Sequence, residues 1–222
     1  MKQSATPISI DVISDVVCPW CFIGKRRLEK AVAAMSSTPL IVRWRPFQLD
    51  PTVPEEGMSR QEYLNRKFGA ERVSEIHKPV MAAGAMEGID FHFDKIERSP
   101  NTIAAHRLIQ LAHSRDLEEA MVERLFRLYF LEGKDIGDRA VLTNAAADIG
   151  LDVKAATSFL ESNAAEEDVR NEIETARRIG VTGVPTFIVG NRYAVIGAQE
   201  PRYIAGAIAK ARADSPAQAE SF

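Results

Sequence analysis

The residues best suited to chemistry are the two cysteines of this 222-residue chain, Cys18 and Cys21, with Pro19 and Trp20 between them. Two thiols at this spacing can close a small disulfide ring with little backbone movement. A thiolate at Cys18 can attack a disulfide, and Cys21 can then resolve the mixed disulfide. Two other readings compete. Half of a zinc site would need further ligands, but there is no second cysteine pair, and His77, His92, His106 and His113 show no matching spacing. Inert buried thiols are the other alternative. Redox chemistry is favoured because two thiols that are merely packed seldom fall at a strand-to-helix corner.

That corner follows from the flanking residues. Ile8 to Ser14 reads as a short strand rich in β-branched side chains. Phe22 to Met35 has helical spacing, with Ile23, Leu28, Ala31, Val32 and Met35 on one stripe. Cys18 therefore precedes the first turn of a helix, where free N–H groups and the positive end of the dipole lower a thiol pKa. Cys21, one turn in, is expected to be more covered. Pro19 fits the first helical position, where a missing N–H costs little.

Composition narrows the classes. The chain is 45% apolar and 27% charged with a net charge of −3, enough for a real core and unlike a nucleic-acid binder. Lys25-Arg26-Arg27 reads as a solvated helix face. No apolar run approaches the ~18 residues of a membrane span. Asp11 and Asp15 interrupt the first apolar stretch, so no export signal is expected and the reading is cytoplasmic. A cytosolic cysteine pair is more often catalytic than structural.

Leu40 to Arg45, closed by Pro46, is a second strand, making a parallel βαβ unit with the first. From Ser59 the period becomes helical for over a hundred residues. Ser59-Arg60-Gln61-Glu62 resembles a capping box for a helix to about Phe68. A helix follows from about Glu71 toward Gly84, bent at Pro79, and Gly88 to Phe93 reads as extended or irregular. Ser99 and Pro100 are expected to cap and open the next helix. Leu117 to Leu131 is an internal helix. Further helices run from Arg139 to Ile149, from a cap at Asp152 to about Leu160, and from Glu166 to Ile179. Thr186–Val189 and Arg192–Ile196 flank Gly190-Asn191 as a two-residue hairpin, and Pro201 to Arg212 is a last helix before a polar tail. The expected fold is α/β: a four-stranded mixed sheet built from residues 1–57 and 166–222, with a helical insertion at 58–165. Two domains in tandem would leave the hairpin without enough strands to be stable.

Gly183-Val184-Pro185-Thr186 sets a proline before the third strand. On spacing alone a trans bond is the ordinary state; a cis bond would turn the Val184 backbone outward, toward an extended peptide.

Cys18-Pro19-Trp20-Cys21-Phe22-Ile23-Gly24, Pro100-Asn101-Thr102 with Ala105-His106-Arg107, and Gly180-Val181-Thr182-Gly183-Val184-Pro185-Thr186-Phe187 together resemble the DsbA-like thioredoxin-fold family, most closely its FrnE branch. The resemblance spans nearly the whole chain. It implies a thioredoxin fold with a helical insertion, Cys18 as attacking thiol, Cys21 as resolving thiol, and Pro185 as a cis proline facing them. Trp20 stands where the secreted oxidants commonly carry histidine, and an indole cannot stabilise a thiolate by charge. Substrate contacts are expected at Trp20, Val184, Pro185, Asn101, Thr102 and His106. For the last three, a capped helix start with a satisfied histidine is an equal reading. Asp15 is expected to end the strand, and Lys25 to face solvent.

The leading functional expectation is a disulfide oxidoreductase acting on protein or small-molecule thiols and disulfides, as a monomer or homodimer, without metal or bound cofactor. The alternative is a glutathione-dependent isomerase or transferase like the 2-hydroxychromene-2-carboxylate isomerases and kappa-class transferases, which usually carry serine at the position of Cys18. Glutathione is a co-substrate in that case. A redox-sensing or chaperone-like binding module is the third expectation.

Overall fold

The computed structural model describes residues 7–35, 38–69 and 72–214, except for the side chains of Val73 and Ser74. In chain order the elements are β1 (Ile8–Ser14), α1 (Pro19–Ala34), β2 (Leu40–Pro46), β3 (Met58–Ser59), α2 (Arg60–Phe68), α3 (Val73–Met86), β4 (Arg98–Ser99) and α4 (Ile103–His113). There follow α5 (Glu118–Phe130), α6 (Arg139–Asp148), α7 (Val153–Glu161), α8 (Glu166–Arg178), β5 (Thr186–Val189), β6 (Tyr193–Ile196) and α9 (Pro201–Ala213).

Four strands form one mixed sheet in the order β2-β1-β5-β6. β1 and β2 are parallel, Ile8 opposite Leu40 through to Ser14 opposite Pro46, and α1 is the crossover that parallel neighbours require. β5 runs antiparallel to β1, with Ile13 opposite Thr186, and β6 closes the hairpin. The period of two sorts β1 between two layers. Ile10 and Val12 enter the main core, with Phe22 and Ile23 of α1, Phe187, and Ile204 and Ile208 of α9. Ile13 faces the other way, onto Phe47 and Ala176 of α8.

The main core does not stop at the sheet. Phe22 stacks on Phe126 of α5 with ring centroids 5.1 Å apart and meets Phe91 edge-on at 6.1 Å. Leu108, Leu125, Leu142 and Leu160 continue the same buried cluster into the helices inserted after β2. The aromatics of α5 are therefore core, as their spacing indicates.

Several local expectations are corrected. Ser59 makes no side-chain capping bond; it pairs with Arg98 across a two-residue antiparallel ladder, β3 with β4. The inserted segment is thus not purely helical. Ser99, in that ladder, cannot cap α4, which starts only at Ile103; Asn101 Oδ1 accepts the Ile103 N–H at 3.1 Å instead. Gly190 and Asn191 both have positive φ and close a turn from the Arg192 N–H to the Val189 C=O, but Val189 faces Tyr193, so the hairpin loop has three residues rather than two. Lys25 is 3% exposed and lies among the carboxylates of Glu29, Glu119 and Glu123, not in solvent. Arg26 pairs with Glu123 and Arg27 with Glu87, so the basic run is a set of ion pairs. The turn expected at 36–39 and the polar tail lie partly outside the described residues, as does the start of the helix expected from Glu71.

Candidate active site

Cys18 occupies the N-cap of α1, with φ −94° and ψ 112°, and Pro19 takes the first helical position. The Cys18 N–H donates to the Asp15 C=O at 3.0 Å, and the Cys18 C=O accepts from the Cys21 N–H at 3.0 Å. These bonds make β1 end in a tight turn that hands directly to the helix. No side chain caps this end of α1, so its first-turn N–H groups and dipole remain turned toward Cys18.

The second wall is the loop before β5. The Val184–Pro185 bond is cis, and the Cys18 S–H donates to the Val184 C=O at 3.6 Å, a weak sulfur bond. Pro185 rests directly on α1 at Gly24, where an added Cβ would come within 2.7 Å of Pro185 Cγ and 3.2 Å of Phe187 Cζ. Only a glycine lets the loop approach so closely. Gly24 stood in the sequence motif without an assigned role; a glycine inside a helical pattern was the available signal. The Gly197 N–H donates to the Pro185 C=O at 2.8 Å and the Thr186 hydroxyl to the Gly183 C=O at 2.9 Å, which holds the loop in place.

Both cysteines are free thiols, 4% and 0% exposed. Burial pushes the Cys21 thiol well above its ordinary pKa, and the Cys18 sulfur beside it adds to the shift. The Ser14 hydroxyl and the Asp15 backbone N–H act in the opposite direction. Cys21 is thus held as a protonated thiol against Cys18. Trp20, between them in sequence, is 36% exposed on the surface.

The remaining candidates gather beneath the turn rather than on the thiols. Asn101 accepts from Gln48 Nε2 at 3.3 Å and donates Nδ2–H to the Val53 C=O at 2.9 Å, tying the start of α4 to the segment after β2. His106 is 4% exposed, with Nε2 at 3.0 Å from the Phe47 C=O and 3.4 Å from Asp15 Oδ1. Thr102 is 2% exposed, at the N-cap of α4, and its hydroxyl has no partner. None of these bonds reaches a cysteine. Asp15 does more than end a strand: Oδ2 accepts the Leu49 N–H at 2.8 Å, strapping the segment after β2 to the cysteine turn.

Among the described residues, no cluster of His, Cys, Asp or Glu could hold a metal ion, and no helix is long and apolar enough to cross a membrane.

The chain is similar to several known proteins. The solved structure of the probable DsbA oxidoreductase SCO1869 from Streptomyces coelicolor superposes with a TM-score of 0.86 at 29% identity, over 95% of this chain and 92% of that one. The uncharacterized protein YwbO of Bacillus subtilis (strain 168) is 28% identical over 185 residues, 83% of this chain and 88% of YwbO. The cytosolic disulfide reductase DsbM from Pseudomonas aeruginosa, solved with GSH, shares the fold at 21% identity and a TM-score of 0.61, over 92% of this chain and 96% of DsbM. The family model of the DSBA-like thioredoxin domain matches residues 9–209. That span starts within β1 and ends within α9, so sheet, cysteine corner and inserted helices are covered together, and the chain belongs to the DSBA-like thioredoxin domain family.

Proposed function

We propose that this protein is a thiol–disulfide oxidoreductase of protein or small-molecule substrates, with Cys18 attacking and Cys21 resolving. The observation that carries the reading is the pair of free thiols at the start of α1, one at the N-cap beside the Val184 carbonyl and the other fully buried one turn behind it. In the reductive direction the Cys18 thiolate attacks a substrate disulfide; one substrate sulfur leaves as a thiolate and a mixed disulfide remains. Cys21 then attacks the Cys18 sulfur, forming the Cys18–Cys21 bond and releasing the second substrate thiolate. Two electrons pass from the protein to the substrate. Val184 borders the attacking sulfur, and with Trp20 and Pro185 it is the contact surface this reading assigns to the substrate.

Glutathione is the small-molecule partner this reading favours, since the fold is shared with a disulfide reductase solved with GSH. The compartment assigned is the cytoplasm, where the reducing poise drives the pair as a reductase or isomerase. A glutathione-dependent isomerase has no need of a second thiol in contact with the first, and that contact favours the redox reading.

Cys21→Ser tests it. The variant is expected to lose disulfide turnover and to accumulate a mixed disulfide on Cys18, seen by intact mass. Unchanged turnover, or a glutathione-dependent isomerisation indifferent to the substitution, overturns the reading.

A further inference from the structure

The sheet has two faces, and the second is only partly covered. Ile10 and Val12 of β1 enter the main core, whereas Asp11 and Ile13 face the other way. α8 covers Ile13 through Ala176. Beside that contact a groove of about 930 Å³ stays open between α8, the last turn of α4 and the strands, a volume within the range of small-ligand sites. Cys18, Trp20, Cys21 and Pro185 do not line it.

Strand register sets the floor of this groove. Asp11 stands opposite Arg43 on one side and Ile188 on the other, and Ile13 stands opposite Arg45. Asp168, Glu172, Thr175 and Ile179 form the wall, at the spacing of one face of α8 and its C-cap. The polar groups are fixed by one another. Arg45 Nε donates to Asp11 Oδ1 at 2.6 Å and Nη1 to Glu172 Oε2 at 3.3 Å, while Gln110 Nε2 donates to Glu172 Oε1 at 2.9 Å. The apolar part comes from Ile13, Ala176 and Ile188, which pack together, and from Ile179, which is 59% exposed.

Charge in the groove is not balanced. Arg43 and His113, on its rim, face the Glu118 carboxylate at 3.4 and 3.5 Å, so Arg43 is matched from outside the groove. Arg45 is then the one cation of the lining left for three carboxylates, Asp11, Glu172 and Asp168. A negative excess next to apolar side chains selects a cation that carries an apolar body.

We propose that this groove is a second binding site, separate from the thiol pair, for small amphipathic amines. The ammonium sits among Asp11, Glu172 and Asp168, and the apolar body lies on Ile188 and Ile179. The site stands independently of the redox reading, since it uses none of the residues assigned to exchange.

Isothermal titration calorimetry on the full-length reduced protein tests it with three probes that share a phenyl group and differ in head group: 4-phenylbutylamine, 4-phenylbutan-1-ol and 4-phenylbutanoate. The amine is expected to bind with a Kd below about 1 mM and about tenfold more tightly than the alcohol, the weight of one charge-assisted hydrogen bond. The carboxylate should bind most weakly. Added salt should narrow the gap between amine and alcohol. Asp168 and Ile179 are exposed, so their replacement leaves the fold intact. Asp168→Asn should weaken the amine about threefold and leave the alcohol unchanged, as expected for one partly screened charge; Ile179→Ser should weaken both. Amide NMR signals of Ile13, Thr175 and Ile188 should move on titration, and those of Cys18 and Trp20 should not. Equal affinity for the three probes, preference for the carboxylate, no binding of the amine, indifference to both substitutions, or shifts centred on Cys18 and Trp20 would each overturn the proposal.

Discussion

Two of the regions where this protein buries charged and polar groups treat them in opposite ways. Around Lys25 the ammonium sits between α1, α5 and β2 with three carboxylates: Glu29, Glu119 at 2.5 Å and Glu123 at 3.2 Å. Glu119 also accepts from Trp44 Nε1 at 2.7 Å, and Glu123 is shared with Arg26. Beneath the cysteine turn, by contrast, Ser14 Oγ, Asp15 Oδ1 and Thr102 Oγ1 are buried without a partner. The first arrangement clamps the thiol-bearing helix to the edge strand. The second leaves buried polar atoms unpaired directly under the reactive turn. A buried pair whose partner is removed is strongly destabilising, whereas a hydroxyl already unpaired contributes little to stability.

The largest effect is expected at the clamp. Lys25→Ala leaves Glu119 and Glu123 facing each other; the loss should be about 3 kcal/mol, the low end for a buried pair because the carboxylates reach solvent. Thermal unfolding would then begin roughly 6–12 °C lower for a chain of this size. Adding Glu119→Gln and Glu123→Gln to Lys25→Met should recover most of it, since no carboxylate of α5 is then left facing another without a cation. No recovery would mean that the clamp is not electrostatic.

Next is the contact between α1 and the Val184–Pro185 loop. Gly24→Ala forces a methyl to within 2.7 Å of Pro185 Cγ, and such overpacking typically costs about 1–3 kcal/mol. Disulfide turnover should fall with it, because the loop carrying the Val184 carbonyl is pushed off Cys18. A variant with full stability and full turnover would show that the loop yields freely.

The clamp should also leave a signature in pH. Burial pulls the Lys25 pKa down, but Glu119, Glu29 and Glu123 outweigh it and leave it raised above 10.5. Its stabilisation is complete below 10.5 and is lost as pH rises through the folded-state value. Burial pushes Glu123 up, but Arg26 and Lys25 hold it below 4.5. That contribution is present above 4.5 and disappears as pH falls through the lower folded-state value. Melting temperature against pH should therefore show a plateau with a shoulder at each end, and Lys25→Met should remove the alkaline shoulder.

Thr102→Val marks the small end of the scale. It replaces an unpaired hydroxyl by a methyl of similar shape, so stability should change by less than about 0.5 kcal/mol. A loss of 2 kcal/mol in a denaturant titration would mean that the hydroxyl has a partner after all, and the contrast between the two regions would fail.

The sequence made the scaffold readable where period and length were long. Ile8–Ser14, the Leu117–Leu131 helix and the cysteine corner stand where the pattern puts them. Short and buried polar features were not readable. A two-residue ladder such as β3 with β4 has no period to detect, and it took Ser59 and Ser99 out of the capping roles their types suggest. Lys25 looked solvated because its carboxylate partners come from α5, nearly a hundred residues away. His106 carried two readings, and the structure sets it under Phe47 and beside Asp15. Its partners come from the loop after β2 and the end of β1, an arrangement that local spacing cannot encode.

The central claim is that Cys18 and Cys21 exchange two electrons as a unit. Equilibrating the protein in thiol–disulfide buffers of graded potential, alkylating, and reading intact mass tests this directly. Both thiols should become resistant to alkylation together, in one transition with the two-electron slope of about 30 mV per decade. Two alkylated thiols at every accessible potential, or one thiol lost without the other, would contradict it.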